Sequence, residues 1–335
     1  MKNKQKILYL ITQAQYGGAQ KYISDLMLNV DENKYIAELA VGDIKNNSDW
    51  IEKMRSNGFK IWRLKHVVRE VNFWHDFLSA FELYKLFLKS KPDIIHLNSS
   101  KIGSTGAVIG WIYKKLHNKN MKIIYTVHGF VFNEPLHLLT KKFYLWSERI
   151  SAHFKDKLIC VSEHDHIIGL NKHVADNQKL TTIHNGIDLK NLTFMDQLEA
   201  RKFLKSNYNL PKFKNLIGSI ANLYSTKGLE YLIRSAKNII KKHPDTLFVV
   251  IGEGSLRKKL ETKIKKLDLE DKFFLIGEIK ESTRLLKAFN IFCLPSVKEG
   301  LPYTLIEALA AGLPIVTTQV GGILEIVEPN ENGLI

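Results

Sequence analysis

Short apolar runs alternate with stretches of helical periodicity along almost the whole chain. In the first half the runs at 7–12, 36–41, 60–64, 93–97, 122–127, 157–161 and 180–184 read as buried strands. Between the first two, Ala19, Tyr22, Ile23, Leu26, Met27 and Val30 recur at the spacing of one helix face. The Gly17-Gly18 pair therefore turns a strand into a helix, where a backbone without side chains can approach a ligand closely. A polar, helical stretch at 191–213 contains Pro211 and reads as a linker plus a first helix. A second series follows, with strands expected at 216–221, 246–251, 272–276, 291–294 and 315–318 and a helix over 229–240. Strand-then-helix repetition predicts parallel α/β sheets. Two doubly wound domains are expected, 1–188 and 189–335, with Asn185 to Asp188 closing the first. Such sheets take ligands beyond the carboxyl ends of their strands, so a cleft between the domains is the expected place for a site.

The richest stretch is 296–318, SVKEGLPYTLIEALAAGLPIVTT. Pro302 suits a first helical turn, because its missing N–H has no partner to lose there. Gly312 and Pro314 stop the helix before a last strand. Glu299 and Glu307 stand eight positions apart around the helix start, an axial separation of about 12 Å if the span were all helix. A helix N-terminus offers N–H groups and positive potential to a diphosphate. A carboxylate on either side could hold sugar hydroxyls, which is what a nucleoside diphosphate sugar requires. In the second series Lys227 precedes Gly228 and a helix, a place from which a cation could neutralise a leaving diphosphate.

Composition narrows the picture. The chain has 335 residues, enough for about two domains, and 45% of them are apolar. No run of 18 apolar residues occurs, so no membrane span is expected. The basic-then-apolar N-terminus lacks a cleavage pattern and reads as a first strand, not a secretion signal. Cys160 and Cys293 lie in apolar runs and read as reduced core residues, consistent with the cytoplasm. Net charge is +15, and residues 1–187 hold 27 Lys and Arg against 17 Asp and Glu, a surplus of +10. That surplus suggests an anionic partner, a membrane surface or a nucleic acid. No Asp-X-Asp pair ends a predicted strand, Asp43 and Asp49 being scattered, so no metal ion and no cofactor are expected.

The 296–318 stretch resembles the Glu–seven residues–Glu signature of family-4 retaining glycosyltransferases, with Gly300, Leu301 and Pro302 after the first Glu. The resemblance extends through Gly17-Gly18-Ala19-Gln20, Asp93 to His96, Val127-His128-Gly129, Asn185 to Asp188, Lys227-Gly228, Gly252-Glu253-Gly254, Pro295-Ser296 and Gly321-Gly322 with Glu325. It implies the GT-B fold: two Rossmann-like domains facing each other across a cleft, acceptor on the first and donor on the second. It also implies roles. Glu299 contacts the transferred sugar and Glu307 the ribose. His128 bonds the donor sugar, and Gly17 and Gly18 lie beside the donor phosphates. Gly252 and Gly254 sit near the base or ribose, and Gly321 and Gly322 near the diphosphate; read by itself, Glu325 is only a cap for the next helix. Asn222 stands where the family pattern usually has an Arg, leaving Lys227 as the cation facing the phosphates. Further elements that cross back onto the first domain are implied after Gly322, so the chain, ending at Ile335, is expected to be truncated or to lack them.

The implied activity is sugar transfer from a nucleoside diphosphate, UDP by family habit, to an acceptor hydroxyl with retention of configuration. A polyprenyl-linked saccharide of bacterial surface polysaccharide assembly is the expected acceptor. A nucleotide-sugar epimerase of the same fold is the alternative enzyme, and a basic nucleic-acid-binding protein the alternative of another class. The latter is disfavoured because no nucleic-acid module is recognised and the Glu-bearing loop would have no purpose. Finally, 71–91 and 130–157 mix aromatic and aliphatic residues with lysines. Either they pack one face on a sheet or they lie in an anionic membrane interface, which would put the protein peripherally at the inner face of the cell membrane.

Overall fold

The computed structural model describes residues 4–42, 49–68 and 73–335. Asp43, Val71 and Asn72 lie outside the described residues. The chain divides into two units, Met1–His184 and Asn185–Ile335. The boundary expected at Asp188 thus lies just inside the second unit, where the Asn185 side-chain amide donates to the Leu301 carbonyl at 2.7 Å.

The first unit runs β1 (Gln5–Ile11), α1 (Gly18–Leu28), β2 (Tyr35–Val41), α2 (Asp49–Ser56), β3 (Lys60–Arg63), α3 (Phe73–Ser90), β4 (Ile94–Leu97), α4 (Ser100–Leu116), β5 (Lys122–Val127), α5 (Leu138–Ala152), β6 (Lys157–Cys160), α6 (Glu163–Asn171) and β7 (Leu180–Thr182). Its strands form one parallel sheet in the order β3-β2-β1-β4-β5-β6-β7. The winding therefore reverses between β1 and β4. Right-handed crossovers put α3, α4 and α5 together on one face, where α4 packs between the other two.

The second unit runs α7 (Gln197–Tyr208), β8 (Asn215–Ile220), α8 (Leu229–Lys242), β9 (Thr246–Ile251), α9 (Arg257–Lys266), β10 (Phe273–Gly277), β11 (Ile291–Leu294), α10 (Tyr303–Ala310), β12 (Ile315–Thr317) and β13 (Gly333–Leu334). Its sheet is also parallel, in the order β10-β9-β8-β11-β12-β13, with the reversal between β8 and β11. β9 is buried on both faces. Leu247, Val249 and Ile251 face the core under α7 and α10, while Phe248 and Val250 face the one under α8 and α9, as alternation along a strand dictates. α7 starts because Asp196 caps it, its carboxylate accepting from the Glu199 N–H at 2.9 Å. It ends at Asn209 in the left-handed conformation.

All twelve expected strands are present, and β13 is an addition. Both cysteines are free and buried, and burial pushes each thiol up, Cys293 to about 12.

Candidate functional site

In the second unit four loops rise from neighbouring strand ends around the reversal between β8 and β11. The segment after β8 carries Asn222 and ends in a short 3-10 turn, Ser225–Lys227, followed by Gly228 in the left-handed region at φ +60°. The segment after β11 carries Ser296 and Glu299. Backbone bonds join the two: the Val297 N–H donates to the Thr226 carbonyl at 2.8 Å. Gly228 is required there, since a Cβ on it would stand 1.9 Å from the Pro295 carbonyl oxygen. The side chains then meet. The Lys227 ammonium lies 2.6 Å from Glu299 Oε1, and the Ser296 hydroxyl donates to the same oxygen at 2.5 Å. Glu299 is nearly buried and Lys227 about a fifth exposed, so the pair neutralises a carboxylate that would be costly alone.

The third loop follows β12. Thr318 donates its hydroxyl to the Ser296 carbonyl, and the Gly322 N–H donates to the Gly300 carbonyl at 2.7 Å. Gly321 is left-handed at φ +58°, and a Cβ there would come within 2.1 Å of the Glu299 carbonyl oxygen. The fourth loop, Gly252 to Gly254, packs on the segment after β8: the Leu223 N–H donates to the Glu253 carbonyl at 2.9 Å. Arg257 holds the Glu253 carboxyl below its usual range through a side-chain hydrogen bond.

α10 begins at Tyr303, with Pro302 as its N-cap and not in its first turn. Glu299 is therefore in the loop, and only Tyr303 to Glu307 of the expected 12 Å is helix, a rise of about 6 Å. Leu301 and Pro302 are buried at the helix mouth. Glu307 is buried inside the helix, where Thr283 donates a hydroxyl to its Oε2 at 3.1 Å. Glu325 does not cap a following helix; it is the last residue of the short 3-10 turn Gly321–Glu325.

The first unit holds the remaining predicted residues near its own reversal. Gly17 is the extended N-cap of α1, and Gly18 opens that helix. His128 follows β5, with Nε2 3.4 Å from Asn98 Oδ1 at the end of β4. Tyr22 of α1 sets its ring edge against the His128 ring at 5.0 Å between centroids. Behind them, buried His96 bonds Thr126 at 2.7 Å, and Thr126 meets the Tyr22 hydroxyl at 3.2 Å. Burial pushes the His96 imidazole down to about 4 and the Tyr22 phenol up.

The model of the family described as Glycosyltransferase Family 4 matches residues 16–191, more than half of the chain. The chain belongs to glycosyltransferase family 4. The model described as Glycosyl transferases group 1 matches residues 200–335, which contain the second unit's loops. Among relatives of this family-4 chain, the Escherichia coli UDP-Gal:alpha-D-GlcNAc-diphosphoundecaprenol alpha-1,3-galactosyltransferase is 30% identical over 257 residues, 76% of this chain and 65% of that enzyme. The Staphylococcus aureus capsular polysaccharide biosynthesis glycosyltransferase CapM is 26% identical over 287 residues, 81% of this chain and 71% of that one. Among solved structures, Anabaena Alr3699/HepE in complex with UDP and glucose superposes with a TM-score of 0.78 at 17% identity, covering 98% of this chain and 85% of that one. The two units are those of the GT-B fold.

Sequence reasoning named Glu299, Lys227 and Glu307 but not what holds them. Ser296 was visible as part of a Pro-Ser motif without a role, and Thr283 sits in the irregular 3-10 turn Ser282–Ala288, where no periodicity marks it. Asn98 and Tyr22, the neighbours of His128, are separated from it by many residues and lie on other elements.

Proposed function

We propose that this chain transfers a sugar from a nucleoside diphosphate, UDP in our reading, to an acceptor hydroxyl with retention of configuration. The observation that carries the reading is the Lys227–Glu299 pair at the winding reversal, with Glu299 in the loop that leads into α10 and its buried Glu307. Lys227 and the N–H groups at the start of α10 take the charge of the leaving diphosphate, so this reading needs no metal ion. Glu299 is assigned to the transferred sugar and Glu307 to the ribose. Asn222, Gly252 and Gly254 border the nucleotide, and Gly300, Gly321 and Gly322 the diphosphate. By family resemblance His128 contributes a hydrogen bond to the sugar, and Gly17 and Gly18 approach the phosphates. The acceptor oxygen attacks C1 as the bond from C1 to the diphosphate oxygen breaks, and the departing oxygen takes the acceptor proton on the same face. Orientation and charge stabilisation are then the protein's share.

The acceptor is read as a polyprenyl-linked saccharide of surface polysaccharide assembly, at the inner face of the cell membrane. Support comes from the diphosphoundecaprenol substrate in the name of the Escherichia coli relative and from the capsule role in the name of CapM. Lys227→Ala and Glu307→Gln should each lower transfer at saturating donor by at least about 100-fold, the scale of a lost transition-state contact, with circular dichroism unchanged. Near-normal turnover in either would sink the site assignment. An epimerised nucleotide sugar formed without acceptor would replace transfer by epimerisation.

A further inference from the structure

The outer face of the α3–α4–α5 layer is apolar where a solvated helix layer is polar. On α3 the residues turned to the sheet, Leu83, Leu86 and Phe87, are buried. The opposite stripe holds Trp74, Phe77, Phe81 and Leu88 at helical spacing, exposed by 70%, 52%, 54% and 40%. α5 repeats the pattern with Leu139, Phe143, Trp146 and Ile150, exposed by 69%, 54%, 62% and 39%. Packing on the sheet thus accounts for only one side of each helix. At about 150–250 Å² per aromatic side chain, the five half-exposed rings alone present on the order of 600 Å², the upper end for an ordinary monomer's largest patch.

Two grooves flank α3. One, of about 360 Å³, is walled by Ala80, Val108, Ile109, Phe143, Trp146 and Ile150. The hydroxyls of Ser104 and Ser147 in its lining bond each other at 3.1 Å, so the groove asks little of a polar guest. The other, of about 370 Å³, carries Arg63, Lys85 and Lys89 against one acid, Glu82, whose carboxylate accepts from the Lys65 and His66 N–H groups. Charge follows the same layer: α3, α4 and α5 hold eight Lys and Arg against three Asp and Glu, of which Glu148 is buried against Lys155 and Asp76 pairs with Lys101 at 2.6 Å. A second copy docked face to face would oppose these positive charges. An anionic bilayer complements them, and aromatic rings with flanking lysines suit its interface. Among the described residues no helix is long and apolar enough to cross a membrane, so contact would be in-plane.

We propose that the outer face of α3, α4 and α5 is the surface by which this chain lies on an anionic lipid bilayer, with hydrocarbon chains entering the groove beside Trp146 and headgroup phosphates meeting Lys85, Lys89, Lys141 and Lys142. The proposal deepens the reading of a lipid-linked acceptor, and what the membrane is for rests on that reading. Binding itself is measured without donor or acceptor, so its failure and that of the transfer assay are separate results.

The full chain is mixed with vesicles of phosphatidylcholine alone, or of phosphatidylcholine with phosphatidylglycerol, and sedimented. It should pellet with the mixed vesicles and not the neutral ones, less so as salt rises. All five tryptophans lie in the first unit, and their emission should shift to the blue on binding. Phe143→Ser with Trp146→Ser, and separately Lys141→Glu with Lys142→Glu, should each weaken binding by at least about tenfold, while transfer to a soluble acceptor is unchanged. Absence of binding to anionic vesicles, equal binding to neutral ones, or full binding by both double variants would overturn the proposal. So would a dimer in solution that the Phe143→Ser, Trp146→Ser variant dissociates.

Discussion

At the scale of single residues, the sequence displayed the charged groups but not their pairings. Lys227 and Glu299 stand 72 positions apart, and nothing in local periodicity joins them; the adjacency of β8 and β11 does. His96 shows the same limit. It looked like part of a motif, yet its environment of Tyr9, Tyr22 and Thr126 comes from three other elements. Burial holds its imidazole near 4 against an ordinary value of 6.5, so the unfolded chain takes up this proton more readily than the folded one. The sign follows: stability from this group is full above the ordinary value and is lost as pH falls toward 4, by on the order of 3 kcal/mol. Urea unfolding followed by tryptophan fluorescence reports the first unit alone, because every tryptophan precedes residue 185. The pH dependence of that transition should flatten in His96→Asn; an equal slope in parent and variant would assign it to another group.

At the scale of elements, strands were the most legible parts. Their apolar runs are bounded by turn residues, and both faces are covered, so a continuous run suffices to mark them. β13 escaped because Gly333 and Leu334 are too few to make a pattern. The loops were legible as glycines but not as contacts. Gly321 is the sharpest example, since a Cβ on its left-handed backbone would overlap the Glu299 carbonyl oxygen. Gly321→Ala adds both steric overlap and about 1–2 kcal/mol of backbone strain. It should loosen the second unit and lower kcat at least about tenfold, while the tryptophan-reported transition of the first unit stays in place. Parallel differential scanning calorimetry and kinetics test this: an alanine variant with parental turnover would mean that the Glu299 loop tolerates displacement. The start of α10 was misplaced for a related reason. A proline is compatible with either an N-cap or a first turn, and only the backbone, ψ 120° at Pro302, decides between them.

At the scale of the molecule, both units wind the same way, and this was read correctly from strand-helix alternation alone. The hydrogen bond from Asn185 to Leu301 draws the NGID segment into the second unit. If that unit binds a nucleoside diphosphate sugar, mass action should stabilise it selectively. At a donor concentration of about 100 times Kd the gain is about 2.7 kcal/mol. A calorimetric scan across UDP-, GDP- and TDP-sugars should therefore raise the melting of one transition and leave the tryptophan-reported one behind. A uniform shift of both, or none with any donor, would contradict donor binding by the second unit. The shared winding has one more consequence, for biosynthesis. In each unit the strand that leaves the ribosome first, β1 or β8, is destined for the middle of its sheet. β1 gains β2 on one side after some thirty residues, but its other edge stays open until Ile94 to Leu97 are made. Each nascent half therefore carries a hydrophobic ribbon with one bare side for nearly half of its synthesis, a span in which chaperone capture competes with premature pairing.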